Sequence, residues 1–368
     1  MKKRLQHQNN NKLTYINNTC TYNHILLSFQ EVDSIDSKGL YKHYENWPTH
    51  FQDASLLEVD QPTSFSPNRI IFAGLGGSAA PGDILKNWLS STINVPFQVL
   101  KDYELPEYVG KNDLVLAVSC SGDTEEVLKV VETAFKKGCK IESISSGGIL
   151  KKYCMENTIP FTKIKKLSVS RASFPYLFYS SVKILKKMNI LSKVETQLTS
   201  SVSSIKNLHS KISVHTPIEK NPAKKLASKI YDGTPIIYVS KENRKIATRF
   251  QALLNENAKM LAHTAILPEL THNEVEIWNK NASKLLKPVF IRHPEEPPKI
   301  AKRFKIIKQI IEDAGFEVNE VWETGNNHLN RLLRSLYLLD YTTIYTAILR
   351  KEDPSKTPNT ETVKRKNA

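Results

Sequence analysis

Short apolar runs recur along this chain, several of them stopping in a glycine- or serine-rich loop, with helix-length segments between them. In the first half they stand at residues 69–74, 97–100, 113–118, 140–144 and 159–164. A strand without polar alternation must be covered on both faces, and parallel strands need long crossovers. The pattern therefore predicts an α/β fold built on a parallel, doubly wound sheet flanked by helices. It restarts after a helical stretch from 175 to about 208, with strands expected at 235–240, 287–292 and 316–321. Residues 25–57 read as a helical lead-in. The expected organisation is a basic extension (1–24), a first α/β unit (25–205), a second of similar architecture (206–350) and a polar, proline-containing tail (351–368).

At 368 residues with 40% hydrophobic content, two domains of ordinary size fit. The four cysteines, Cys20, Cys120, Cys139 and Cys154, have no paired metal spacing and read as free thiols in a reducing cytoplasm. Residues 1–12 are basic but lack the apolar core of a signal peptide. No run approaches the roughly 18 apolar residues that cross a bilayer, so no membrane partner is expected. The net charge of +15 comes from lysines spread along the chain, without a helix-turn-helix, zinc or aromatic-basic module. We therefore expect no nucleic-acid partner, and a positive field that attracts a small anionic substrate.

The loop after the third run is Ser119-Cys120-Ser121-Gly122-Asp123-Thr124-Glu125-Glu126. On a strand-to-helix turn, unpaired N–H groups and the helix dipole favour an anion, and hydroxyls add donors without charge. A serine-rich N-cap with a capping box is the structural alternative. Gly74-Leu75-Gly76-Gly77-Ser78 and Ser145-Ser146-Gly147-Gly148 lie on equivalent turns. Ligands of such sheets bind beyond the carboxyl ends of the strands, where the three loops converge. A dinucleotide reading would need an acid after the second strand, for which Asp102 is the candidate. In the second half, Glu256 sits in a helical window and His272 follows a proline-marked loop. Each has a bland reading, as a surface carboxylate and a structural histidine. Near a phosphate loop, together they are suited to proton transfer.

These stretches, with Asp102-Tyr103-Glu104-Leu105-Pro106, Arg171-Ala172, Asn255-Glu256-Asn257-Ala258-Lys259 and Pro268-Glu269-Leu270-Thr271-His272-Asn273-Glu274, fall in one order over residues 30 to 364. In that order the chain resembles the sugar isomerase (SIS) family, specifically the bifunctional phosphoglucose/phosphomannose isomerases. The resemblance implies two SIS-type domains and a homodimer. It also implies that Gly77, Ser78, Ser119, Ser121 and Thr124 bind a sugar phosphate. Glu256 would shuttle a proton between C1 and C2, His272 would open and close the ring, and Arg171 would hold the enediolate. Lys364 matches a lysine near the family's C-terminus. The chain departs from the family in carrying Ala79 where glycine is usual and Asp123 where asparagine is usual. Asp123 puts a negative charge beside the phosphate loop unless it caps a helix or points away.

Aldose–ketose isomerisation needs ring opening, a carboxylate base and a cation for the developing oxyanion, and no metal or redox cofactor. The expected substrate is a hexose 6-phosphate. Two other readings are a non-catalytic sugar-phosphate-binding SIS regulator and a different SIS sugar-phosphate enzyme. Glu256 and His272 speak against the first. For the second, no amide-handling site is evident.

Overall fold

The structure, a computed structural model, describes residues 27–59, 65–90 and 92–367; the basic extension, with Cys20, lies outside them. Three short helices form the lead-in: α1 (Phe29–Ile35), α2 (Leu40–Glu45) and α3 (Trp47–Leu56). Strands and helices then alternate as β1 (Ile70–Ala73), α4 (Ala80–Leu89), β2 (Phe97–Leu100), β3 (Leu114–Val118), α5 (Glu125–Lys136), β4 (Lys140–Ser145), α6 (Gly148–Glu156) and β5 (Phe161–Lys163). Three helices follow, α7 (Phe174–Lys187), α8 (Glu195–Ile212) and α9 (Pro222–Ile230). The alternation resumes with β6 (Thr234–Val239), α10 (Arg244–Ala258), β7 (His263–Ile266), β8 (Leu286–Arg292), α11 (Pro298–Asp313) and β9 (Asn319–Trp322), before α12 (His328–Leu349) and α13 (Pro358–Asn367).

Every strand pair is parallel. The first sheet has the order β2-β1-β3-β4-β5 and the second β7-β6-β8-β9. Alternate residues of each central strand serve two cores. Ile70 and Phe72 face an inner core, while Ile71 and Ala73 face an outer one under α5 and α6. The second sheet divides likewise, with Ile237 and Val239 inward and Ile236 and Tyr238 outward against α11. Both inner faces share one core, centred on α12, which is buried nearly all round and packs on α8, α9 and α10. The division expected near residue 205 falls within α8, which runs unbroken through it and contributes Leu198, Ile205, Leu208 and Ile212 to that core.

Two strands differ from expectation. β7 was not anticipated; His263-Thr264-Ala265-Ile266 is an edge strand pairing with β6 alone, so half-buried polar residues suffice. β9 begins at Asn319 instead of Phe316. Gly315 is left-handed at φ 84°, and the Phe316 N–H returns to the Ile311 carbonyl at 3.1 Å, closing the end of α11. The tail is no free end. The Ser37 hydroxyl bonds Asp353 at 2.6 Å, and Lys259 Nζ donates to the carbonyls of Asp353 (2.5 Å) and Lys356 (2.9 Å). Among the described residues no helix is long and apolar enough to cross a membrane.

Candidate functional site

In the first sheet the chain leaves β1 toward β2 on one side and β3 lies on the other. In a parallel sheet a ligand is expected beyond the strand ends at this reversal of strand order. After β1 the backbone makes a 3-10 turn, Gly76–Ser78. The turn passes close to Arg171: a Cβ on Gly77 would stand 3.2 Å from the Arg171 Cα. The Ser78 hydroxyl accepts the Cys120 N–H at 3.0 Å, tying the β1 loop to the β3 loop. Burial pushes the Cys120 thiol up, so it stays neutral in this loop.

Within the β3 loop, Ser119 Oγ accepts the Gly122 N–H (3.0 Å) and pairs with Thr124 Oγ1 (2.8 Å). Thr124 is the N-cap of α5, yet its side chain makes no capping bond, so the capping-box alternative is not realised. The first-turn N–H groups of α5 are left without a side-chain cap, beside the exposed Ser121. The β4 loop closes on this one so tightly that a Cβ on Gly122 would lie 1.8 Å from the Gly147 carbonyl oxygen. Asp123 Oδ1 accepts the Ile149 N–H at 3.0 Å in the first turn of α6. Its charge is thus committed to a second helix N-terminus.

Arg171, on a 3-10 turn before α7, links the β1 loop to the second half. It is 7% exposed; its Nε donates to Asn257 Oδ1 at 2.8 Å, and Nη2 donates to the Pro354 carbonyl. Its Nη1 lies 3.6 Å from Glu256 Oε2. Behind it, Arg249 forks onto Asp340, with Nη2–Oδ2 at 2.6 Å, and the Tyr44 hydroxyl donates to the same carboxylate at 3.0 Å. α10 supplies Lys245, Arg249 and Glu256, spaced four and seven residues apart and therefore on one helical face. That face lines a cleft of about 210 Å³ with Gly76, Gly77 and Arg171. At the same cleft, Asp83 of α4 holds Lys101 Nζ at 2.6 Å and Lys245 Nζ at 2.9 Å.

The comparisons agree with this geometry. A family model described as the SIS domain matches residues 65–159, and one described as the bacterial phospho-glucose isomerase C-terminal SIS domain matches 219–366. The bifunctional phosphoglucose/phosphomannose isomerase of Caldicellulosiruptor bescii is 32% identical over 82% of this chain and 90% of its own. That of Aquifex aeolicus is also 32% identical, over 80% and 89%. The chain belongs to the bifunctional phosphoglucose/phosphomannose isomerase family. The D-glucosamine-6-phosphate 4-epimerase of Sulfolobus acidocaldarius is also similar, 31% identical over 67% of this chain and 76% of its own. In fold the chain matches a glucose-6-phosphate isomerase like protein from Thermus thermophilus, with TM-score 0.62 at 18% identity, covering 92% and 98% of the two chains.

As a member of this isomerase family, the chain brings Gly77, Arg171 and Glu256 into one cleft; Ser78 is hydrogen-bonded to the loop carrying Ser119, Ser121 and Thr124, and these four stand outside the cleft's lining. His272 is not among the cleft's lining; it is exposed on a 3-10 turn after β7. Lys364 is exposed on α13 and also stands outside the lining. Asp102 is exposed and bonds the neighbouring Tyr103 N–H at 2.7 Å, so the cleft residue of that segment is Lys101. Sequence reasoning passed over Asp83, Lys101, Lys245 and the Arg249–Asp340 pair. The shared helical face of residues 245, 249 and 256 was the signal that could have found two of them.

Proposed function

We propose that the protein interconverts glucose 6-phosphate and mannose 6-phosphate with fructose 6-phosphate through an enediolate. The observation that carries this reading is the Arg171–Glu256 pair, a cation and a carboxylate 3.6 Å apart across the cleft that also holds the Gly76–Gly77 turn. The 6-phosphate sits on the N–H groups and hydroxyls of the loops at Ser78 and Ser119–Thr124. The Glu256 carboxylate takes the C2 proton of the open-chain aldose. The C2–H electrons form the C1–C2 double bond, and the carbonyl electrons move onto O1, which Arg171 stabilises. Glu256 returns its proton to C1, the O2–H proton passes to O1, and the ketose results. C2 loses its stereochemistry in the enediolate, so one pocket serves both epimers.

We assign His272, as the acid and base for the ring oxygen, to the site of a second copy of the chain; its exposure and its place outside the lining of its own cleft support that reading. We therefore place a homodimer in the proposal, with Lys364 on the exposed α13 as a second group that a neighbour could receive. A second reading, epimerisation at C4, is favoured by the similarity to the Sulfolobus epimerase. Coupled assays with both aldose phosphates, with and without chelator, test the first reading, and NMR of products from glucosamine 6-phosphate tests the second. Fructose 6-phosphate formed from both epimers supports isomerisation. A C4 epimer with no ketose formed would overturn it.

A further inference from the structure

Arg334 of α12 stands in a second cleft, of about 360 Å³, bounded by α8, α12 and the loop joining β9 to α12. This cleft shares no lining residue with the one at Arg171 and Glu256. Arg334 is half-buried, and its partners are neutral. Nε donates to Thr324 Oγ1 at 3.0 Å, and Nη1 donates to the Ser204 carbonyl at 2.8 Å and hydroxyl at 3.4 Å. Arg171, Arg249, Arg292 and Arg331, which are more deeply buried, each pair with a carboxylate. Among the described residues no carboxylate pairs with Arg334, and none lines its cleft. Burial alone pushes its guanidinium down, with no neighbouring charge to offset it.

An uncompensated, partly desolvated cation costs free energy that a bound anion would offset, and a guanidinium fork suits phosphate oxygens. A second observation narrows the ligand. Asn330 is 2% exposed and lines the same cleft; its amide NH₂ donates to Ser200 Oγ at 3.1 Å, while its carbonyl oxygen has no hydrogen-bond partner. A buried acceptor calls for a donor. An inorganic anion that carries no proton supplies none, whereas a polyol hydroxyl does. We propose that this cleft is a second, non-catalytic site for a small phosphorylated polyol, with the phosphate on Arg334 and a hydroxyl on the Asn330 carbonyl.

The test is calorimetric titration of the full chain with glycerol 3-phosphate. The wild type should bind at two classes of site, one weakened by Ser121→Ala and the other weakened at least tenfold by Arg334→Gln. Because Arg334 also ties α12 to α8, Asn207→Asp serves as the second variant. It sets a carboxylate into the cleft from an exposed position on α8 and leaves the bonds of Arg334 in place. It too should remove the second class. Sulfate, an anion with no proton to donate near neutral pH, should bind that class more weakly than glycerol 3-phosphate. A single class lost with Ser121→Ala, or an Asn207→Asp isotherm equal to the wild type, would overturn the site. Equal affinity for the two probes would overturn the polyol assignment.

Discussion

Asp123 stands beside the proposed phosphate loop, yet its carboxylate is occupied by the Ile149 N–H of α6. Asparagine offers the same acceptor without the charge. Asp123→Asn should therefore leave the melting temperature nearly unchanged and lower KM for the dianionic substrate by up to about fivefold, from roughly 1 kcal/mol of relieved repulsion. A raised KM would show that the charge is needed. Glu323, at the end of β9, carries a pH signature. Burial pushes its carboxyl up to about 8, with Arg331 partly opposing. A raised folded-state pKa contributes stability at low pH that is lost as pH rises toward 8. Thermal melts should fall between pH 5 and 8 more steeply for the wild type than for Glu323→Gln; parallel curves would remove the group from the account. Glu256 was legible because its neighbours fit a known pattern. Lys245 and Arg249 were not, because a polar helical face toward a cleft reads the same as one toward solvent.

Apolar runs marked eight of the nine strands among the described residues, since buried parallel strands need little beyond hydrophobicity and a turn. The edge strand β7 escaped because pairing on one side tolerates His263 and Thr264. The start of β9 moved because the turn at Gly315–Phe316 ends α11, a tertiary detail that periodicity does not carry. The loop after β3 shows how close the elements lie. Gly122 holds φ 85° against the Gly147 carbonyl. Gly122→Ala should destabilise by about 1–3 kcal/mol, read as a lowered melting temperature, and should raise KM as the loop is displaced. An unchanged melting curve would contradict the packing described for these loops.

At the scale of the molecule, the two sheets face one inner core through α12, so the cleft is built between halves that cannot part without exposing it. The exposed position of His272 makes the assembly testable. Mixing the inactive variants Glu256→Gln and His272→Ala after dissociation and reassociation should restore activity. In a mixed dimer, one cleft pairs an intact Glu256 with an intact His272 from the other copy. No recovery would place His272 in its own chain's cleft or outside the reaction.

The central claim is that Glu256 moves a proton through an enediolate at C2. Incubating mannose 6-phosphate with the protein in deuterium oxide and following the C2 position by NMR tests it directly. The account predicts deuterium at C2 of recovered aldose with the wild type. With Glu256→Gln, exchange should be slowed by about 10² to 10⁴ while ligand binding is retained. Isomerisation by Glu256→Gln at the wild-type rate would contradict it.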